Sequence, residues 1–181
     1  MGKHGPRVRW QLGIIFVVTV IWIAPLMWFN FQLVRHGRPL LTVAYVASAL
    51  LSVSVIWLPE AYFRPRPFER SSRIYERLGV RFFRRFMLQG DYYNRALRGD
   101  DPAHRVITGR AAANRYDAQT RAAERGHLIN LIVGAVITLY GLCLGFYRFA
   151  VLFTASNALF NVYPIMLQRY TRARIDRIRC R

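Results

Sequence analysis

Acidic residues are scarce in this chain: nine Asp and Glu stand against 27 Lys and Arg in 181 residues. Soluble domains are usually closer to charge balance and less apolar than the 54% found here. The imbalance argues against an ordinary soluble enzyme, and long apolar runs argue against a disordered basic tail. The length corresponds to a single domain, residues 1–181.

The chain also lacks the short motifs of several enzyme classes. Its two cysteines, Cys143 and Cys180, have no spacing typical of a zinc site or a redox pair. It contains no phosphate-binding loop, no nucleophile elbow and no His-Glu-x-x-His zinc motif. These absences predict no bound metal and no resident cofactor. Lys3 is the single lysine, a bias towards arginine that is typical of a G+C-rich bacterial genome.

Four long runs without charged residues dominate the remaining sequence. About 20 apolar residues of helix cross the hydrocarbon core of a bilayer, so each run predicts a transmembrane helix. The predicted spans are residues 11–31, 40–58, 128–145 and 149–168. A signal peptide is the alternative for the first run, but that run is long and no cleavage site follows it.

The distribution of basic residues predicts the orientation of these spans. Four spans place both termini and the long loop 59–127 on one side, which carries 24 of the 27 Lys and Arg. Because Lys and Arg accumulate on the cytoplasmic side, the termini and this basic loop are expected in the cytoplasm of a multi-pass protein of the bacterial cell membrane. The same rule accounts for the arginines beside the spans, so no nucleic acid partner is expected.

The basic loop contains a candidate interfacial helix, residues 71–88. Apolar side chains recur there at intervals of four, and arginines form the opposite stripe: Ile74, Leu78, Phe82 and Phe86 against Arg73, Arg77, Arg81 and Arg84. Such amphipathic helices usually lie flat at the headgroup boundary. A polar loop then leads into a second helix from about Thr108 to Arg125. The predicted fold class is therefore all-α, with four transmembrane helices, an interfacial helix and a basic cytoplasmic loop.

The catalytic candidates lie where the second helix meets the third run. Glu124 precedes His127 by three positions, so both side chains project from the same face of a helix. A carboxylate beside an imidazole holds its tautomer and raises its basicity, as a general base that activates a hydroxyl requires. The alternative is an interfacial ion pair that anchors the end of a helix, since a Glu and a His at this spacing are common.

The fourth run carries a second polar pattern. Thr154, Asn157, Asn161 and Gln168 fall on one stripe of a helix, and amides in a bilayer usually face the interior of a bundle. The stripe predicts either hydrogen bonds between helices or a polar wall that contacts a substrate. It leads into three arginines that suit a phosphate or the anionic group of an acyl donor, or that anchor the helix on anionic lipid: Arg169, Arg172 and Arg174.

Three blocks of this sequence resemble the glycosyl-4,4′-diaponeurosporenoate acyltransferase family, small membrane enzymes named for the last step of staphyloxanthin synthesis. The first block is Phe68-Glu69 through Tyr75-Glu76 with Val80 to Asn94, and the second is Arg121-Ala122-Ala123-Glu124 with His127. The third is Asn161-Val162 followed by Gln168-Arg169-Tyr170, Arg172 and Arg174, close to the family's N…QRYNRxR ending. The likeness covers about residues 60–175. The chain departs from the family at Thr171, Ala173 and Leu128, where Asn, Pro and an aromatic residue are common.

The resemblance implies transfer of a fatty acyl group to a hydroxyl of a membrane-embedded glycolipid or glycosylated carotenoid. For this reaction we expect His127 to be the general base and Glu124 to orient it. The expected substrate-binding residues are Asn157, Asn161, Gln168 and Arg169, with Arg172 and Arg174 on the head of the acyl donor. Of these, Asn161, Gln168 or Arg169 would donate to the developing oxyanion.

The partners expected from this reaction are membrane lipids, a lipid-soluble acceptor and an acyl donor such as acyl-CoA or an acyl carrier protein. Two other interpretations stay open on the sequence alone. One is a non-catalytic membrane scaffold or a module that binds anionic lipid. The other is a different lipid-modifying transferase, such as a lipid methyltransferase.

Overall fold

The computed structural model describes residues 40–69, 71, 73–85, 87, 91–100, 102–103 and 108–179, with a few isolated positions before residue 40. The predicted first span, residues 11–31, falls mostly outside the described residues, as does Phe86. Every regular element in the described part of the chain is helical, which confirms the all-α class.

Seven α-helices follow one another along these residues: α1 (Leu40–Ile56), α2 (Arg73–Arg77), α3 (Val80–Arg84), α4 (Asp91–Asp100), α5 (Gly109–Cys143), α6 (Tyr147–Asn157) and α7 (Tyr163–Arg179). Two 3₁₀ turns, Glu60–Phe63 and Pro67–Glu69, follow α1, and a π-helical turn, Ala158–Val162, joins α6 to α7. The helix α4 lies in a stretch that the sequence predicts as a polar loop.

The longest element is α5, with 35 residues. At 1.5 Å per residue it is about 50 Å long, well beyond the hydrocarbon core of a bilayer. It begins after Thr108, as predicted, but does not end at Arg125. The helix rich in alanine and arginine and the third apolar run are therefore one continuous rod, with a charged half and an apolar half.

Among the described residues, two helical segments are long and apolar enough to cross a membrane, Gly109–Cys143 and Tyr147–Arg177. The helix Leu40–Ile56 and the turns Glu60–Glu69 supply a third if the pair, bent by 86°, counts as one span. The described residues thus show apolar helices suited to a membrane and two or three candidate spans. Four spans are not confirmed, and the cytoplasmic placement of the termini stays a prediction.

A tight hairpin joins α5 to α6, as the short linker between the last two runs predicts. The chain reverses at residues 144–146, where Gly145 takes a left-handed conformation with φ of 80°. The amide of Phe146 donates to the carbonyl of Gly141 at 2.9 Å, which closes the helix end in a Schellman arrangement. The hairpin brings α6 and α7 back along α5.

The core lies where α1 packs against this hairpin. Leu41 of α1 joins Ile137 and Tyr140 of α5 and Phe153 of α6 in one buried cluster. The beginning of α1 therefore lies beside the end of α5. Glu60, which follows α1, pairs with Arg125 much earlier in α5, so the two helices run in opposite directions.

The predicted interfacial helix is not continuous. The helix α2 ends at Arg77 and α3 begins at Val80, because Gly79 between them has φ of 76°. Glycine adopts this left-handed conformation readily, whereas side chains with a Cβ rarely do. The prediction of a single helix over residues 71–88 is therefore wrong.

Breaking the helix also changes which side chains pack inside the protein. Tyr75 and Val80 are buried against Tyr170 of α7. The predicted apolar face stays exposed at Ile74, Leu78 and Phe82, the side chains for which the amphipathic pattern predicts contact with lipid.

Candidate functional site

The arginines after the fourth run belong to a packed helix rather than to a loose tail. The helix α7 continues to Arg179 and lies against α5, α2 and α3. Arg169 and Arg172 are one turn apart and face α5. The positive charges expected at a headgroup surface are thus partly drawn into the protein.

Glu124 receives both of these arginines. Its side chain is 0% exposed, and its Oε1 accepts a hydrogen bond from Arg169 Nε at 2.8 Å. Its Oε2 accepts from Arg172 Nη2, and Arg172 Nη1 also donates to Thr120 Oγ1 at 3.3 Å. One buried carboxylate thereby holds two turns of α7 against α5.

A second carboxylate, Glu69, completes this arrangement from the 3₁₀ turn before α2. Arg169 Nη1 donates to Glu69 Oε1 at 3.1 Å, and Tyr75 donates its hydroxyl to the same oxygen. The amide of Arg66 donates to Glu69 Oε2 at 2.7 Å. We call Glu69, Glu124, Arg169 and Arg172 the ion cluster. Its two negative and two positive charges balance, as buried charges must if they are to be tolerated.

Tyr75 enters the ion cluster as a neutral donor. Burial raises the pKa of Tyr75 above its ordinary value, and the hydrogen bond to Glu69 raises this pKa further. Both effects keep the proton on the phenol, since an ionised Tyr75 would face a buried carboxylate. The hydroxyl therefore remains available to Glu69.

The predicted base, His127, lies one turn further along α5 and contacts a different group. Its Nδ1 is 3.3 Å from Asn161 Oδ1, in the π-helical turn. Asn161 Nδ2 donates to Asn157 Oδ1 at 2.7 Å, and Asn157 Nδ2 donates to the carbonyl of Leu131 at 3.1 Å. We call the chain from His127 through the two amides to Leu131 the amide relay. Both amides are buried and the imidazole is half-buried.

Two local features make room for the amide relay. Gly134 lies directly beneath the Asn157 amide, and a Cβ at position 134 would collide with that amide group. The π-helical turn Ala158–Val162 widens the helix at Asn161, and such turns are frequent at functional sites. Neither feature leaves a pattern of polar residues that could be read from the sequence.

Glu124 and His127 share a helix face, as predicted, but the structure does not pair them. Among the described residues no hydrogen bond joins the two side chains, since both Glu124 oxygens accept from arginines. A guanidinium is always charged and binds a carboxylate more strongly than a neutral imidazole does. The carboxylate expected to orient His127 is therefore occupied, and the side chain that lies within hydrogen-bond distance of the imidazole is that of Asn161.

The remaining predicted residues lie around these two groups. Gln168 is half-buried on α7, seven positions after Asn161, and Thr154 is exposed. Arg174 is exposed and its guanidinium lies 5.7 Å from the centre of the Tyr170 ring. Arg172 is buried, so contact with a donor's head would require the ion cluster to open. In the described part of the chain no group of three or more His, Cys, Asp or Glu side chains suits a metal ion.

Sequence reasoning missed Glu69, Tyr75 and Gly134. Glu69 and Tyr75 fall within the first block of the family resemblance, which assigned them no role. The scarcity of acidic residues was the available clue, because a buried arginine needs a carboxylate and few are present.

Comparison with known proteins identifies the family. The sequence pattern of the CrtO family, described as glycosyl-4,4′-diaponeurosporenoate acyltransferase, matches residues 59–181, which include the ion cluster and the amide relay. No curated protein sequence and no solved structure matches the chain. The matched segment covers more than half of the chain and contains both long apolar helices of the described residues. The chain therefore belongs to the CrtO family of acyltransferases and is a membrane acyltransferase.

Proposed function

We propose that this protein transfers a fatty acyl group to a hydroxyl of a membrane-embedded glycolipid or glycosylated carotenoid, with His127 as the general base. The observation that carries the proposal is the position of His127. Its imidazole is half-buried and hydrogen-bonded to the buried amide of Asn161. It lies where the charged half of α5 meets the apolar half. A lipid-soluble acceptor and a water-soluble acyl donor would meet at such a boundary.

The reaction needs one base and one group that stabilises negative charge. The imidazole of His127 takes the proton of the acceptor hydroxyl. At the same time the hydroxyl oxygen forms a bond to the carbonyl carbon of a thioester donor, such as acyl-CoA or an acyl carrier protein. The tetrahedral intermediate then breaks its C–S bond, and the imidazolium returns the proton to the leaving thiolate. The products are an ester and a thiol, so atoms and electrons balance.

Gln168 is our choice for the donor to the oxyanion. Of the three candidates, Asn161 gives its amide to Asn157, and Arg169 gives its guanidinium to Glu124 and Glu69. No hydrogen bond of the Gln168 side chain is present within the described residues, so its amide is the one left to serve an oxyanion. Arg174, which is exposed on the same helix, would bind the anionic part of the donor.

Glu124 and Arg172 do not contact the substrate in this scheme; their ion pair fixes the position of α7 against α5. They join α5 to α7, and α7 leads directly from the π-helical turn that holds Asn161. We therefore place Glu124 as a positioning residue rather than as a partner of the imidazole. With both termini and the basic loop on the cytoplasmic side, the site would face the compartment where acyl thioesters are made.

The experiment compares wild type, His127→Ala and Asn130→Ala in a host that makes a glycosylated carotenoid acid. Asn130 lies on the same helix and is exposed, so it serves as the matched control. Mass spectrometry of lipid extracts should show an acyl-sized mass gain with wild type and Asn130→Ala and none with His127→Ala. Near-full turnover by His127→Ala would reject the base. No gain with any inserted variant would favour another acceptor or a lipid-binding scaffold.

A further inference from the structure

The direction of hydrogen bonding in the amide relay is fixed at one end. A backbone carbonyl only accepts, so the Asn157 group that faces the Leu131 oxygen at 3.1 Å is its NH₂. Asn157 then presents its oxygen to Asn161, whose NH₂ donates to it at 2.7 Å. Asn161 must therefore turn its own oxygen towards His127, 3.3 Å from Nδ1.

An amide oxygen cannot donate, so the proton between Asn161 and His127 belongs to the imidazole. We infer that the amide relay holds neutral His127 with its proton on Nδ1 and leaves Nε2 free as the base, which makes Asn157 and Gly134 positioning residues of the reaction. The nitrogen that carries the proton is set by the hydrogen bond that the ring makes. Neutral histidine in water favours a proton on Nε2, so the surroundings must impose the other tautomer. The inference rests on the proposed role of His127 as base.

Gly134 belongs to this inference because it sets the position of the first amide. Its missing side chain provides the space that the Asn157 amide fills, so a methyl group there would push Asn157 away from Leu131. Gly141, two turns further along the same helix, is also buried, but a Cβ there would meet Phe149 Cδ1 at 3.4 Å, an ordinary contact. The two glycines therefore form a matched pair, of which only one touches the relay.

The tautomer can be read directly by NMR of ¹⁵N-histidine protein in lipid nanodiscs, at a pH where the imidazole is neutral. The His127 signals are assigned from their absence in His127→Gln. Wild type should show a protonated Nδ1 and an unprotonated Nε2. Asn157→Ala and Gly134→Ala should shift His127 towards the Nε2-protonated form, whereas Gly141→Ala should not. Asn161→Asp should retain the wild-type tautomer, because a carboxylate also accepts from Nδ1–H.

Activity provides the second readout. Loss of the partner that orients a metal-bound histidine typically lowers activity about ten- to a hundredfold, and we expect kcat of Asn157→Ala and Gly134→Ala to fall by a similar factor with little change in KM. Gly141→Ala should retain wild-type kcat. A structural role alone would lower the yield of folded protein in these variants without moving the tautomer.

Wild type with the proton on Nε2 would overturn the inference, and this measurement requires no variant to fold. An unchanged tautomer in folded Asn157→Ala would overturn it as well. If His127→Ala abolishes turnover while wild type carries its proton on Nε2, His127 remains the general base, but the amide relay does not set its tautomer. If wild type carries its proton on Nδ1 and His127→Ala still turns over, the hydrogen-bond arrangement of the amide relay is confirmed, but His127 is not the general base.

Discussion

Arg169 Nε lies 2.8 Å from Glu124 Oε1, although 45 residues separate the two in the chain. The same guanidinium reaches Glu69 Oε1, which is 100 residues away. Arg169 of α7 thus connects this helix to the middle of α5 and to the 3₁₀ turn before α2. Because these contacts are buried, their removal should affect folding as well as the site.

The first prediction concerns the charge of Glu124. Glu124→Gln keeps the shape of the side chain but leaves Arg169 and Arg172 with Glu69 as the one carboxylate of the ion cluster. Removing one partner of a buried ion pair costs about 3–5 kcal/mol, so Tm in detergent should fall by on the order of 10 °C. The measurement is thermal unfolding monitored by circular dichroism.

Glu60→Gln is the control for this change. Glu60 pairs with Arg121 and Arg125, but its side chain is 59% exposed. Exposed ion pairs contribute little, so Tm should hardly move. Equal losses in the two variants would show that Glu124 is not buried among charges in the way described.

The second prediction concerns Tyr75. Tyr75→Phe removes the hydroxyl that donates to Glu69, and hydrogen bonds to charged groups contribute about 1.5–3 kcal/mol. The free energy of unfolding should fall by an amount in that range at neutral pH. Tyr147 is exposed, so Tyr147→Phe should leave the free energy of unfolding unchanged. A double-mutant cycle with Glu69→Gln should show coupling, and additive losses would contradict the contact.

The pKa of Tyr75 gives this prediction a pH dependence. Because the pKa of Tyr75 is raised in the folded protein, the stabilisation is fully present below the ordinary tyrosine pKa of about 10. It is lost as pH rises through the folded pKa. The gap in stability between wild type and Tyr75→Phe should therefore be constant at neutral pH and shrink above about pH 10. A gap that widened with pH would reverse the sign of the proposed interaction.

The third prediction compares two glycines that have open space around them. A Cβ at Gly79 or at Gly126 would meet no atom within 4 Å. Gly79, between α2 and α3, has φ of 76°, so Gly79→Ala should lower the free energy of unfolding by about 1 kcal/mol. Gly126 lies inside α5, where Ala is favoured over Gly by about 0.8–1.0 kcal/mol. Opposite shifts in Tm are expected, and shifts of the same sign would contradict the left-handed conformation at Gly79.

Much of the fold follows from patterns that are local in the sequence. The apolar runs gave the hairpin between α5 and α6, and Thr108 marked the start of α5. The break at Gly79 was missed because a spacing of four continues across it, and Phe82 fits the pattern whether the helix is broken or not. Periodicity reports which side chains share a face, but it does not report the backbone conformation of a glycine.

The site was harder to predict because its contacts are distant in the chain. The spacing of Glu124 and His127 makes them candidates, but their contacts lie 34 to 48 residues away on α7 and the turn before it. A nearby imidazole and a remote guanidinium compete for one carboxylate, and no local pattern tells which prevails. Whether Arg172 belongs to a buried ion cluster or anchors the helix at the headgroups depends on its burial. That burial results from the packing of α7 against α5, which the local sequence does not reveal.

The last prediction tests how the hairpin crosses the membrane. If the segment Tyr147–Arg177 is a span, Arg148 and Cys180 lie on opposite sides. Two variants are compared, Cys143→Ser, which keeps Cys180, and Cys143→Ser with Cys180→Ser and Arg148→Cys. A maleimide that does not cross membranes is added to intact cells and to permeabilised cells. The excess of Lys and Arg near Cys180 predicts that intact cells label position 148 alone, and permeabilised cells label both. Labelling of both positions in intact cells would make the segment re-entrant, and labelling of Cys180 alone would invert the topology.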